Sequence, residues 1–279
     1  MVDALRPGTL SEALKWLSAN KAMPFGGGTD LMVHYRNYTG TSSKISRPVL
    51  FTDNIEELRQ IEEGVDQLRI GSAVLLSELE EHEKVPQILR ESISQIAAPA
   101  LRNRATLAGN ICNASPAGDS LPPLYIYEAR LTLSSVRGDR IVKIEDFITG
   151  PGKTILAEDE LLTFITIPYE GKEESYYRKV GTRAANALSK LSVAAIAQKE
   201  NGIIIDFGLA LGAVAPLIVR NRDCEKLVIG QKAQLLNIET IVDAYAPHIR
   251  PIDDQRSTAA YRKEVSLNII RNFLEQIQE

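Results

Sequence analysis

A chain of 279 residues, 44% hydrophobic and 24% charged, has ordinary globular composition and enough length for two or three modest cores rather than one large one. Its formal net charge of −4, without a basic face, excludes a nucleic-acid-binding surface, and no apolar run approaches the roughly 18 residues of a membrane helix. Asp3, Arg6, Glu12 and Lys15 interrupt the N-terminal stretch where a signal peptide would need an apolar segment, so a soluble, cytoplasmic protein that engages no membrane is expected. Only Cys112 and Cys224 are present, which rules out a four-cysteine iron–sulfur or zinc site. The two read as buried thiols, with a disulfide as the alternative.

Thr9-Leu-Ser-Glu12 is a capping box that opens a short helix, with Ala13, Leu14 and Leu17 facing inward and Asn20 near its end. Residues 22–25 form a short strand running into Phe25-Gly-Gly-Gly-Thr-Asp30, and 30–37 is helical again. That loop therefore joins a strand to a helix N-terminus, within a small α/β unit spanning 1–50. Strands are expected at 49–52, 67–70, 129–136, 140–144 and 161–167. An Arg137-Gly-Asp turn joins the third and fourth, and Pro168 stops the last. Helical spacing over 85–97 runs through Ile88, Leu89, Ile93 and Ile96. Residues 51–170 thus read as a larger α+β unit with a mainly antiparallel sheet.

The charged stretch Glu170-Gly-Lys-Glu-Glu174 marks a boundary. Beyond it come a strand at 175–180 and two more at 191–198 and 203–211, flanking the hairpin signal Asn201-Gly202. Helices follow at 235–245 and 258–278, the second carrying Tyr261, Val265, Ile269, Ile270, Phe273 and Ile277 on one stripe. Residues 175–279 are expected to form a small sheet backed by helices.

Two glycine-containing loops carry the chemistry. In the first, Gly26, Gly27 and Gly28 set closely spaced N–H groups beside the Thr29 hydroxyl, a nest for anionic oxygens; a plain tight turn is the alternative. No Gly-Lys-Ser/Thr follows, and the G-x-G-x-x-G spacing is missing. Asp30 points away from an anion or caps the next helix. The second loop, Thr106-Leu107-Ala108-Gly109-Asn110, continues through small and proline residues to Asp119, too long and ordered for a mere connection. Asn110 can donate to phosphate. Asp119 can accept from a ribose hydroxyl or adenine amine, or can cap the helix holding Leu124 and Ile126. Arg102-Asn-Arg104 is either solvated or near a phosphate. His34, His82 and His248 have no ligand spacing, so no metal site and no acid–base catalyst is expected within the chain. Two loops together can grip one pyrophosphate from both sides.

These motifs resemble the FAD-binding medium subunit of the molybdenum hydroxylases, the family of xanthine dehydrogenase and carbon monoxide dehydrogenase. Gly26-Gly-Gly-Thr-Asp-Leu31 matches that family's first loop, and Thr106 through Asn110 to Asp119 its second. Leu161-Leu-Thr-Phe-Ile-Thr-Ile-Pro168, Tyr177-Arg-Lys-Val180 and Leu211-Gly-Ala-Val-Ala-Pro216 match later landmarks. The resemblance implies an α+β fold. A two-part FAD-binding domain of the PCMH/vanillyl-alcohol-oxidase type would precede a small C-terminal α+β domain with a three-stranded antiparallel sheet and helices.

It further implies an FAD whose pyrophosphate is wrapped by Phe25, Gly26, Gly27, Gly28, Thr29, Asp30 and Leu31 together with Thr106, Leu107, Ala108, Gly109 and Asn110. Asp119 would meet the ribose or adenosine side, Ile96 would lie against the cofactor, and Leu161 would add backbone or apolar contact. Lys179 would approach the isoalloxazine edge, unless it is a solvated strand lysine. Ala108 departs from the family glycine; if that position needs positive φ, the alanine costs on the order of 1 kcal/mol.

The activity implied is electron relay: from a [2Fe–2S] small subunit, through FAD, to an external acceptor such as NAD. A molybdopterin-binding large subunit would carry out the hydroxylation. A self-contained flavin oxidase is the first alternative, although residues after 174 look too few and too helical for its substrate cap. A non-enzymatic assembly subunit with a decayed flavin site is the second.

Overall fold

Parallel strands cannot be joined by a tight turn, and the N-terminal segment solves this with its first helix. The computed structural model describes residues 2–168, 174–183 and 186–279. Ala4–Leu5 and Met23–Phe25 both pair in parallel with Val49–Phe51, which lies between them, and helix Leu10–Asn20 is the crossover. Thr9 caps that helix, its Oγ1 accepting from the Glu12 amide at 3.3 Å. The Glu12 carboxylate reaches back to the Gly8 amide at 3.2 Å, one residue further than a standard capping box. Ala13 and Leu17 are buried with Leu50, Ile55 and Leu58.

The chain divides into two compact units. One comprises Met1–Lys84, Ala98–Ala114 and Ala129–Pro168; the other comprises Val85–Ala97, Ser115–Glu128 and Tyr169–Glu279. The first unit adds to its parallel sheet an antiparallel one of five strands, ordered Ile61–Glu63, Gln67–Gly71, Leu161–Pro168, Arg130–Ser135 and Gly138–Lys143. Leu161–Pro168 sits at the centre because it is apolar on both faces, and its Thr163 hydroxyl pairs with Ser134 Oγ at 2.8 Å. Ile61–Glu63 escapes sequence reading because a polar three-residue edge strand has no usable alternation. Ser135 pairs with Gly138, so the hairpin corner is Val136-Arg137, one residue before the expected turn, and Gly138 takes φ +117.

Two local expectations change here. The helix after the first glycine loop is a single turn, Leu31–His34, because Asn37, Thr39 and Gly40 favour turns over helix. The second glycine loop is helical: Thr106 caps Leu107–Asn113, its Oγ1 accepting from the Gly109 amide at 3.0 Å.

The second unit is built on an antiparallel sheet ordered Glu174–Val180, Leu191–Glu200, Ile203–Gly212 and Val219–Arg220. Its two-residue fourth strand extends the expected three. Asn201 and Gly202 both have positive φ, as a type I′ hairpin requires. Helices Ile238–Tyr245 and Ala259–Gln278 bury Tyr245, Ile270, Phe273 and Ile277 with Phe207 and Leu209 of the sheet. Helices Gln87–Ser94 and Leu121–Ile126, from earlier in the chain, pack on the same sheet; a Cβ on Gly208 would stand 2.9 Å from Ile126 Cγ2. The expected boundary stretch falls, save Glu174, outside the described residues. No helix among the described residues is long and apolar enough to cross a membrane.

Candidate functional site

In the first unit the two glycine turns meet. The Gly27 backbone lies directly against Arg104 and Ala105, so closely that a Cβ would collide with the Arg104 carbonyl. Gly26 faces Thr106, where a Cβ would stand 3.4 Å from Oγ1. Gly28 takes φ +71, a left-handed conformation, and the Phe25 ring folds over it while contacting Phe51 at 5.0 Å. A turn that must admit another backbone and reverse direction is a turn for glycine.

The first turn, and the start of the second, present donors that meet no acceptor among the described residues. Among the described residues, the amides of Gly26, Gly27, Gly28, Thr29 and Asp30 make no hydrogen bond within the chain. In the second turn, Gly109 donates to Thr106 Oγ1 and Asn110 to the Thr106 carbonyl at 3.1 Å. The Leu107 and Ala108 amides are the first two of a helix and have no intrahelical acceptor. Asp30 sits in the αR region and makes no capping bond, so the capping alternative is not realised; extended backbone is what lets a side chain reach back. Ala108 lies in the helix and is not among the residues with positive φ. The strain that an alanine would cost at a left-handed position is therefore not incurred. Leu161 is buried in the core of this unit, paired with Ser134. Of the neighbouring basic pair, Arg102 is held by Glu80 at 2.7 Å, which makes it structural.

In the second unit the polar centre is Asp119. Its carboxylate accepts from Lys179 Nζ at 2.8 Å, Ser189 Oγ at 2.5 Å and Tyr177 OH at 3.3 Å. Lys179 also donates to the Gln95 carbonyl at 2.7 Å, next to half-buried Ile96. Asp119 does not cap helix Leu121–Ile126, whose cap residue is Ser120. Lys179 is not solvated: its side chain is 6% exposed and that of Asp119 is 8%. Burial pushes the Asp119 carboxyl up, against the pull of Lys179, Ser189 and Tyr177. Burial, reinforced by the Asp119 charge, holds the Tyr177 phenol well above its ordinary range, so it serves as a donor. Sequence reading took Tyr177 as part of a C-terminal landmark without its bond to Asp119, and missed Ser189. The role of Tyr177 was findable, since it lies two residues from Lys179 on one strand face; Ser189 had no local signal.

Cys112 and Cys224 are free thiols; burial pushes Cys112 up to about 12, so it is no nucleophile at neutral pH. No cluster that could hold a metal occurs among the described residues.

What these centres can do chemically is hold a diphosphate on main-chain donors and set a buried lysine against a carboxylate. A dinucleotide fits that donor set. Comparison with known families gives the class: residues 1–170 match the FAD binding domain in molybdopterin dehydrogenase, and 175–277 match the CO dehydrogenase flavoprotein C-terminal domain. The cofactor is FAD.

The chain is 33% identical to the xanthine dehydrogenase FAD-binding subunit of Escherichia coli O157:H7, over 98% of this chain and 93% of that protein. It is 30% identical to the glyceraldehyde dehydrogenase medium chain of Sulfolobus acidocaldarius, over 94% and 92%. Its fold matches a chain of carbon monoxide dehydrogenase from Hydrogenophaga pseudoflava with TM-score 0.88 at 24% identity, covering 97% and 95%. The chain therefore belongs to the FAD-binding subunits of molybdenum hydroxylases of the xanthine dehydrogenase and carbon monoxide dehydrogenase type, a family of oxidoreductases with an α+β fold.

Proposed function

We propose that this chain is the electron-relay subunit of a multisubunit molybdenum hydroxylase in the cytoplasm. It receives electrons from a [2Fe–2S] small subunit and delivers them to a small-molecule acceptor such as NAD, while a molybdopterin-binding large subunit performs the hydroxylation. FAD, when bound, supplies the exchange between one-electron and two-electron carriers. The chain's own residues supply position and field. Phe25 to Leu31 and Thr106 to Asn110 would hold the diphosphate, chiefly by amides, with the Thr29 hydroxyl adding a donor. Asp119 would serve the ribose or adenosine side, Ile96 and Leu161 apolar or backbone contact, and Lys179 the negative charge of a reduced isoalloxazine. The proposed division of labour follows residues 1–50, 51–170 and 175–279.

The observation that carries this reading is the run of five successive amides, Gly26 to Asp30, without an acceptor, in a turn packed against the second glycine turn. The normal helical backbone of Ala108 removes the reason to regard the flavin site as decayed. Titration of the purified full chain with FAD tests the reading: a shifted, resolved flavin absorbance band with a one-to-one plateau is expected. Absence of any plateau would refute it.

A further inference from the structure

A second carboxylate of the same unit, Asp254, lies in the chain between helices Ile238–Tyr245 and Ala259–Gln278 and is shared by two arginines. Arg256 donates Nε at 3.0 Å and Nη2 at 2.8 Å to its Oδ2, and Arg262 donates Nη2 to its Oδ1. The Arg256 amide reaches Oδ1 at 2.8 Å as well. These bonds, that of Arg262 foremost, hold the Asp254 carboxyl well below the usual carboxylate range. Exposed ion pairs contribute little. Arg262, however, is 2% exposed, and a guanidinium buried that far is kept only with partners.

Each arginine also donates to backbone, and both lines lead to Asp119. Arg256 Nη1 donates to the Ser189 carbonyl at 3.4 Å, and the Ser189 hydroxyl is the one that meets the Asp119 carboxylate. Arg262 Nη1 donates to the Ala213 carbonyl, also at 3.4 Å. Ala213 has φ +61, a conformation that a non-glycine residue keeps only where its surroundings over-determine it. Its amide donates to the Pro116 carbonyl at 2.7 Å, three residues before Asp119. One arm therefore ends on the hydroxyl partner of Asp119 and the other on its own chain segment. Bonds of 3.4 Å are long, so each depends on how its guanidinium is aimed. Asp254 aims both.

We propose that Asp254, Arg256 and Arg262 are positioning residues for the Asp119 centre, fixing its carboxylate toward the ribose or adenosine side of a bound dinucleotide. The ligand rests on the FAD reading above; the support of Asp119 does not. Hydrogen–deuterium exchange of the ligand-free full chain, followed by FAD titration, tests the network in wild type, Asp254→Asn, Asp254→Glu and Arg256→Gln. D254N should exchange severalfold faster over 186–192 and 212–216 while 265–277 stays protected. It should bind FAD roughly tenfold more weakly, the size of one charge-assisted hydrogen bond. D254E keeps the charge and should recover most of both. R256Q removes a half-buried side chain and a single arm, so it should loosen 186–192 alone and weaken FAD about threefold; it decides the matter if D254N does not fold. The expected exchange pattern in a chain whose wild type binds no FAD keeps the network and removes the FAD reading. Unaltered exchange over 186–192 in R256Q, or unchanged FAD affinity in every variant of a wild type that binds it, overturns the positioning role.

Discussion

The two polar centres of this protein are built from opposite materials. That of the first unit is main chain: two turns present amides with no side-chain charge among their own partners, and glycine at position 27 is what lets them touch. That of the second unit is side chain: Asp119, Lys179, Tyr177 and Ser189 are gathered in a nearly solvent-free pocket. A site made of backbone is vulnerable to added atoms. A site made of buried charge is vulnerable to lost ones. Each therefore calls for a different kind of substitution.

The largest effect is expected in the second unit. Asp119→Asn leaves the Lys179 ammonium buried without a counter-charge, and breaking one partner of such a pair costs about 3–5 kcal/mol. Denaturant unfolding of the single variant should show that loss. The double variant Asp119→Asn with Lys179→Met should recover much of it, because both charges are then gone. If the double variant is as unstable as the sum of the singles, the pair is not a coupled unit and the contrast between the centres fails.

In the first unit, Gly27→Ala drives a methyl into the Arg104 carbonyl. Forcing the turns apart should cost about 1–3 kcal/mol, as overpacking does, and should abolish the one-to-one FAD plateau. Gly26→Ala, with its methyl at 3.4 Å from Thr106 Oγ1, makes an ordinary contact and should keep that plateau. Equal behaviour of the two alanines would mean that the close approach of the turns is irrelevant to binding.

The contrast also explains what the sequence discloses. Three consecutive glycines announce a backbone site because only glycine tolerates both the approach at Gly27 and the positive φ at Gly28. The strands around it follow from alternation, and the Asn201-Gly202 hairpin from the demand for two positive φ values. The second turn was legible as a donor group but not as a helix, since 107–113 is short and Thr106 is its only start signal. Asp119 was open to two readings from spacing alone. Its actual partners lie 58, 60 and 70 residues away, and a network closed over that distance leaves no periodic trace. The same reason hides the association of Val85–Ala97 and Ser115–Glu128 with the C-terminal sheet: the helices are local, their packing partner is not. The basic pair Arg102-Asn-Arg104 was open to two readings, and Arg102 is tied up by Glu80, 22 residues away in the chain.

The smallest effect sharpens the comparison most finely, because it separates a backbone requirement from a family habit. Ala108 occupies a position where the family resemblance implied glycine, and a left-handed backbone there would make Ala108→Gly stabilising. The residue is instead helical and 6% exposed. Glycine in a helix costs roughly 0.5–1 kcal/mol relative to alanine through backbone entropy. Ala108→Gly should therefore lower stability by that amount and leave FAD affinity within a factor of two or three, roughly the same 0.5 kcal/mol scale. A tighter FAD complex with higher melting temperature would instead show that bound cofactor pulls the second turn into a conformation that alanine resists.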